Sequence, residues 1–392
     1  MKKSLLFKVV VIVFAFVGFI SVANAQVTTS SLTGTIRDSK EVLPGAGIKA
    51  VHTPTGTVYG VVTNGDGRYT LGNMRVGGPY TIEISFIGYK SQKFDNVMLK
   101  LGEAFVLNVT LQDNNSTLNT VTIVGSNPNS VMNSNRNGAT TSISNREIQV
   151  LPTITRSLND LTRLTPQANG SSIGGGNYRQ NNFTVDGSEF NNNFGIGGNL
   201  PANGSPISLD ALEQISINVT PYDVTQGNFI GSSMNAVTRS GSNEFSGSVY
   251  NYFRNQYQQG RHVGSFDLTR GELDDKTYGV RFGGPIIKNK LFFFLNVEQQ
   301  KTTRPGQQQV AATTAGTFGN NVSRPTAAAL NSLSQFLQSE YGYNPGVYQG
   351  YSFSAERLNL LGRLDWNISD KHKLNIRYSQ VESKDPVMVN GT

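Results

Sequence analysis

Cysteine is absent from all 392 residues. Its absence excludes a disulfide scaffold, a thiolate nucleophile, an iron–sulfur or cysteine-based zinc site, and a lipid anchor through an N-terminal cysteine. Histidine is scarce as well. The three present (His52, His262 and His372) have no His or Glu nearby at metal-ligand spacing. No catalytic, metal or cofactor site follows from the residues. Charge is also sparse, at 15% of residues, with a formal net charge of +7. Three of the positive charges (Lys2, Lys3 and Lys8) lie in a segment read below as removed. A small, dispersed excess of this kind gives no footprint for nucleic acid. What the chain has in quantity is glycine (42 residues) together with Asn, Ser, Gln and Thr. That mixture suits turns and strands better than helices.

Lys2 and Lys3 precede an apolar run from Val9 to Ile20, followed by Ala23-Asn24-Ala25 and Gln26. A basic start, a short apolar stretch and an A-x-A site predict a secretory signal peptide over residues 1–25, cleaved between Ala25 and Gln26. The apolar run is shorter than the ~20 residues that a membrane-spanning helix needs. No later stretch reaches that length, so any later crossing must use β-strands.

Residues 26–113 read as a mainly β unit. Strands are expected at Leu32–Arg37, Gly47–His52, Thr57–Thr63, Arg68–Leu71, Tyr80–Ile87, Phe94–Leu99 and Phe105–Leu111. The period-two alternation from Tyr80 to Phe86 gives one buried face and one wet face. Asn64-Gly65-Asp66-Gly67 predicts a tight hairpin turn. Seven short strands imply a sandwich. Asp66 has no ladder of further acidic ligands and reads as a turn residue rather than a calcium ligand. Gly34-Thr-Ile-Arg-Asp, Leu43-Pro-Gly-Ala-Gly, Thr63-Asn-Gly-Asp-Gly-Arg-Tyr and Ile87-Gly-Tyr resemble the carboxypeptidase regulatory-like domain, which implies a prealbumin-like sandwich. The family name suggests an enzyme, but the residues supply no active site.

Residues 114–141 are rich in Asn and Ser and read as a linker. Within them Leu118-Asn119-Thr120-Val121-Thr122-Ile123-Val124-Gly125 is a lone β-prone strip. It is either an eighth strand of the sandwich or a strand offered to another protein's sheet edge.

Residues 142–243 read as a small α+β unit. Ser144-Asn-Arg-Glu147 is a capping box opening a short helix. Thr155 precedes Leu158, Leu161 and Leu164, the pattern of a one-sided helix. The Gly174 cluster lacks the Lys-Ser or Lys-Thr of a phosphate loop. Asp186 and Glu189 have no evident nucleophile or tuning group, so Asp186 before Gly187 reads as a turn. Tyr178-Arg179-Gln180-Asn181-Asn182-Phe183-Thr184-Val185-Asp186-Gly187, the Leu212–Val219 run and Asn235-Ala-Val-Thr-Arg239-Ser-Gly resemble the plug of TonB-dependent outer-membrane receptors. Pro221-Tyr-Asp-Val points to the Oar-like branch of that family. The Ser216-Ile-Asn218 stretch and Ser232-Ser233 depart from the family pattern.

From Glu244 onward the strands lengthen and alternate. Leu358, Leu360, Gly362, Leu364 and Trp366 share one face, and Asn359, Arg363, Asp365 and Asn367 the other, with Leu361 as an exception. Leu291, Phe293, Leu295 and Val297 form an outward set that Phe292 and Phe294 blur. Tyr250, Tyr252 and Phe253 are candidate interface aromatics. Connections that run long, short, long, short match an outer-membrane barrel. In the longest, Pro325 with Leu330, Leu333, Phe336 and Leu337 predicts a helix ending near Gly342. About five strands fit into residues 244–392, against 22 in plugged transporters, which predicts an incomplete transmembrane barrel.

The resemblance implies a TonB-dependent receptor that takes up a substrate too large or scarce for porins, with no bond chemistry. It implies a periplasmic sandwich, the TonB box at Leu118–Gly125, the TonB–ExbB–ExbD complex and outer-membrane lipid as partners, and an extracellular ligand. The alternatives are an Oar-like export or adhesion protein and a soluble β adhesin.

Overall fold

The computed structural model describes residues 27–114, 139–153, 155–170, 172–191, 205–220, 226–227, 229–260, 262–264, 266–267, 271–306, 310–316 and 322–386. The signal-peptide stretch, the Leu118–Gly125 strip and Pro221–Val224 lie outside the described residues.

The first eight strands are β1 (Ser30–Arg37), β2 (Gly47–His52), β3 (Thr57–Val62), β4 (Arg68–Met74), β5 (Gly77–Ser85), β6 (Gln92–Leu99), β7 (Ala104–Val106) and β8 (Val109–Thr110). They form two sheets, β4-β1-β7 with β8 also on β1, and β3-β2-β5-β6. Leu32 and Ile36 from one sheet meet Ile48, Tyr80, Ile82 and Ile84 from the other in one buried core. The expected last strand is split in two. Leu107 N–H donates to Thr33 O, and the Asn108 side chain accepts from Thr35 N–H in place of a backbone carbonyl. Gly34 permits this close approach, because a Cβ there would collide with the Leu107 carbonyl. The Asn64–Gly67 turn forms, with Asn64 Oδ1 accepting from the N–H groups of Asp66 and Arg68. It joins β3 and β4, which belong to different sheets, so it is a crossing between layers and not the expected hairpin.

The central unit comprises β9 (Ala139–Ser144), α1 (Asn145–Val150), α2 (Leu158–Thr162), the hairpin β10 (Ala168–Asn169) and β11 (Ser172–Ile173), β12 (Asn181–Val185), β13 (Ser188–Glu189), β14 (Leu212–Val219) and β15 (Ser232–Thr238). Its sheet has the order β13-β12-β15-β14-β9, with β12 and β15 parallel. The Ser144–Glu147 capping box opens α1 as expected. Helix α2 is shorter than expected. It is capped by Ser157 and ends before Leu164, which is exposed, while Leu158 and Leu161 enter the core. The Leu209 run gives only a single 3-10 turn before β14 begins at Leu212.

The remaining strands are β16 (Ser246–Asn255), the hairpin β17 (His262–Val263) and β18 (Phe266–Asp267), β19 (Asp274–Ile287), β20 (Leu291–Pro305), β21 (Val310–Ala312), β22 (Val322–Thr326), β23 (Ser352–Asn367) and β24 (Lys373–Lys384). Strands β16-β19-β20-β23-β24 make one antiparallel wall. Helix α3 (Ala327–Tyr341) lies in the long β20–β23 connection, capped by Thr326 and closed by left-handed Gly342. Among the described residues no helix is long and apolar enough to cross a membrane, which says nothing about crossing by strands.

The outer face of the wall carries exposed Val249, Phe253, Tyr278, Val280, Phe282, Leu295, Val297, Leu364, Trp366, Leu374 and Ile376. The inner face covers the central unit. Phe292, Phe294 and Leu361, which break the sequence alternation, all point inward and are buried. Phe294 and Leu361 belong to the same core as Phe183, Ile215, Ile217 and Met234. Two of the exceptions to alternation, Phe294 and Leu361, are therefore apolar contacts between the wall and the central unit.

Candidate functional site

The central unit, called the plug below for the receptor part that it resembles, is held against the wall by buried polar groups at two levels. The lower level lies near the short β23–β24 turn. Arg363 on β23 and Arg377 on β24 are register partners on the inner face. Two like charges directly opposite would repel. Asp186 of the plug lies between them, 3.1 Å from Arg377 Nη1 and 3.8 Å from Arg363 Nη1. The Asp186 backbone is left-handed, at φ 46°, and Gly187 follows at φ 81°. This turn aims the carboxylate back at β15, where Thr238 N–H and Oγ1 donate to it at 2.9 and 2.6 Å. Arg363 Nη1 also donates to the carbonyl and hydroxyl of Thr238, and its fork meets Asp365 with two contacts of 2.9 Å. Asp186 is thus a charge centre joining plug to wall, where the sequence suggested only a turn.

The upper level is centred on Glu298 of β20. Its carboxylate accepts from Ser208 Oγ of the plug at 3.0 Å and from Tyr250 OH at 2.7 Å, and Arg357 stands 3.5 Å away. Asn359 donates to the Ser205 carbonyl at 3.2 Å. Plug residue Arg156 pairs with Asp210 and lies over the rings of Tyr250 and Tyr252, at 5.1 and 4.1 Å. Tyr250 and Tyr252 therefore serve the plug contact. Of the three aromatics expected at the membrane interface, only Phe253 shares the outer face with Val249 and Val280, although Tyr252 is also exposed.

The other sequence-selected plug residues separate into groups. Asn181 accepts from Ser232 Oγ, Asn182 donates to the Gly227 carbonyl, and Phe183 is fully buried, so these three hold the plug sheet together. Asn235 accepts from Thr184 Oγ1 at 2.8 Å within the same sheet. Arg239 lies 4.0 Å from Glu213, and its guanidinium reaches Asn145. Burial lowers the Arg239 pKa from its ordinary value, and neighbouring Arg281 adds to that effect. Tyr178 and Arg179 form a 3-10 turn at the opposite end of β12 from Asp186, so the motif does not converge on one point.

Two cavities flank these contacts. One of about 710 Å³ opens beside the long connections, between Thr155 and Ser157 of the plug and Asp275, Gln300, Arg304 and Arg357 of the wall. The other, about 650 Å³, lies near the short turns where sandwich, plug and wall meet, and includes Arg75, Asp186, Arg239 and Asp365. Among the described residues no group of three or more His, Asp or Glu could hold a metal ion. The sequence reading missed Arg75, Glu298 and Arg357 as contact residues. For Glu298 and Arg357 the available signal was charge on inner-face positions of long alternating strands, where neutral polar residues suffice in water.

Residues 31–112 match the carboxypeptidase regulatory-like domain, and residues 237–391 match the outer membrane beta barrel domain. A curated relative, the TonB-dependent transporter Oar of Myxococcus xanthus, is 27% identical over 390 residues, covering 93% of this chain and 34% of that protein. The chain thus spans about a third of that relative's length. Among solved structures, the siderophore receptor PirA from Acinetobacter baumannii matches at 17% identity and a TM-score of 0.42, covering 62% of this chain and 31% of that one. The outer membrane transporter YddB from Escherichia coli matches at 15% identity and a TM-score of 0.41, covering 62% and 33%.

Proposed function

We propose that this outer membrane protein, in which a carboxypeptidase regulatory-like domain is joined to an outer membrane beta barrel domain, works as a TonB-dependent transporter. The observation that carries the reading is a plug sheet whose core is completed by two inward residues of the wall, Phe294 and Leu361. A soluble adhesin would have no use for the continuous apolar outer face, which suits lipid. The similarity to the TonB-dependent transporter Oar supports the same reading. The chain would act by binding and passage, without bond chemistry.

In this proposal residues 1–25 are the export signal, 26–113 a periplasmic sandwich, 114–138 a linker, 139–243 the plug, which starts with β9 three residues before the bound expected from sequence, and 244–392 barrel. The extracellular ligand enters beside the long connections. The TonB–ExbB–ExbD complex supplies energy by pairing TonB with Leu118–Gly125 through β-augmentation. Such pairing depends on backbone N–H groups, which proline lacks. In the full-length protein Val121→Pro is expected to abolish energised uptake and leave ligand binding intact, whereas Thr122→Val is tolerated. Uptake that persists with proline at position 121 removes the strip from the mechanism.

A further inference from the structure

The sandwich touches both sides of the seam between plug and wall. Its Arg75 donates through Nη1 to Ser240 Oγ at 2.5 Å, two residues beyond plug strand β15, and through Nη2 to Asp365 of wall strand β23 at 3.1 Å. Arg75 is itself held in place. Its carbonyl accepts from Tyr80 OH at 2.7 Å, and its N–H donates to Tyr59 OH, both rings belonging to the sandwich core. On the plug side, Leu101 N–H donates to Gln214 Oε1 at 3.1 Å, and Val76 and Leu101 bury against Val237. On the wall side, Asn367 donates to Thr57 Oγ1 at 2.9 Å. The Pro54 carbonyl accepts from Asn243 N–H, in the link between plug and wall.

We propose that the sandwich is a detachable strap across the plug–wall seam, with Arg75 as its fastening. The Thr238–Ser240 stretch is gripped from three directions: by Asp186 of the plug, by Arg363 of the wall and by Arg75 of the sandwich. A plug that shifts relative to the wall must break the Arg75 bridge or carry the sandwich with it. The contact is built to come apart. Its buried apolar part is Val76, Leu101 and Val237, against eighteen buried residues in the plug core. The rest is polar, one ion pair between Arg75 and Asp365 and a few hydrogen bonds. The proposal rests on reading the plug as the moving part, but it is tested without substrate or TonB, so its failure is separable from failure of the transport reading.

The test uses the full-length protein in detergent, with amide deuterium exchange as the readout. Arg75→Ala is expected to speed exchange at Leu101 N–H at least about tenfold, the factor that one charge-assisted hydrogen bond carries. A second variant fixes the strap. A Cβ at Gly56 lies 3.5 Å from Asn289 Cβ, inside disulfide range, and residues 1–392 hold no other cysteine. Oxidised Gly56→Cys/Asn289→Cys is expected to protect the Thr238–Ser240 amides more than its reduced form. Both positions have a left-handed backbone, φ 62° and 64°, which strains cysteine, so the Leu101 measurement stands alone if the double variant does not fold. Unchanged Leu101 exchange in Arg75→Ala, or equal plug protection in the oxidised and reduced forms, overturns the proposal.

Discussion

Asp186 is the residue whose replacement tests the plug–wall contact most directly. In Asp186→Asn the side chain keeps an oxygen for Thr238 N–H, and asparagine tolerates the left-handed φ of 46°. What is lost is the charge between Arg363 and Arg377, which then face each other across register-paired positions. The amide NH2 takes the place of the oxygen that accepted from Arg377 and from the Thr238 hydroxyl, so those two hydrogen bonds are lost and the cross-strand repulsion returns. Together these cost about 2 kcal/mol, which corresponds to about thirtyfold in a local opening equilibrium. Asp186→Gly removes the acceptor as well and leaves the Thr238 N–H and hydroxyl without their partner, for about 3 kcal/mol in total. Asp186→Ala adds left-handed strain of about 1–2 kcal/mol to that. The assay is deuterium exchange at Thr238 N–H in the full-length protein, with the expected order wild type, Asn, Gly, Ala from slowest to fastest. Equal exchange in wild type and Asp186→Asn would refute the charge-centre argument, since the variant lacks both the negative charge and the oxygen that accepts from Arg377.

Three further outcomes are expected. His52, buried beside Thr55, has its pKa lowered to about 3 by desolvation and then by Arg75. The unfolded chain therefore takes up the proton first, so the stability that His52 contributes is complete above about pH 6.5 and falls as pH drops toward 3. Between pH 6.5 and 5 the loss is about 2 kcal/mol, and urea unfolding of the sandwich should show it in the wild type but not in His52→Gln. Leu360→Arg should cost roughly 2–4 kcal/mol in lipid because it faces outward, whereas Asn375→Arg, on the inner face and exposed, should fold with wild-type yield. Mass spectrometry of the exported protein should find Gln26 at its N-terminus, and retention of Lys2 and Lys3 would contradict the cleavage reading.

The architecture was legible because period-two alternation fixes which residues share a face, whatever lies on either side. Leu358, Leu364 and Trp366 could be assigned outward from spacing alone. Spacing cannot say what fills the inner side. Asn359 reads as an ordinary polar inner residue, and replacing it with arginine would then be harmless. In the structure it is buried and bonded to the Ser205 carbonyl, so that position has no room for a longer side chain. Leu361 and Phe294 looked like noise for the same reason, since their partners lie more than fifty residues earlier in the chain. Leu164 shows the opposite error. Its spacing from Leu161 fits a helix, but α2 ends at Thr162, and local periodicity cannot see where the packing stops. Arg75 carried no signal at all, because its significance depends on where the sandwich docks.

Strand β9 is the first described element after the linker and the outermost strand of the plug sheet, paired on one side to β14. It contributes a single fully buried side chain, Ile143, to the core, whereas β14 and β15 contribute Leu212, Ile215, Ile217, Met234 and Ala236. Tension applied to the chain ahead of Ala139 therefore loads the ladder that begins with the Ala139–Val219 pair and ends with Ser144–Gln214. That ladder can yield while the β12–β15–β14 pairing and the Asp186 anchor stay closed. Mechanically the plug is graded rather than brittle: a pull from the linker meets an edge row of hydrogen bonds first, and the strand so released lengthens the tether before the rest of the sheet bears any load.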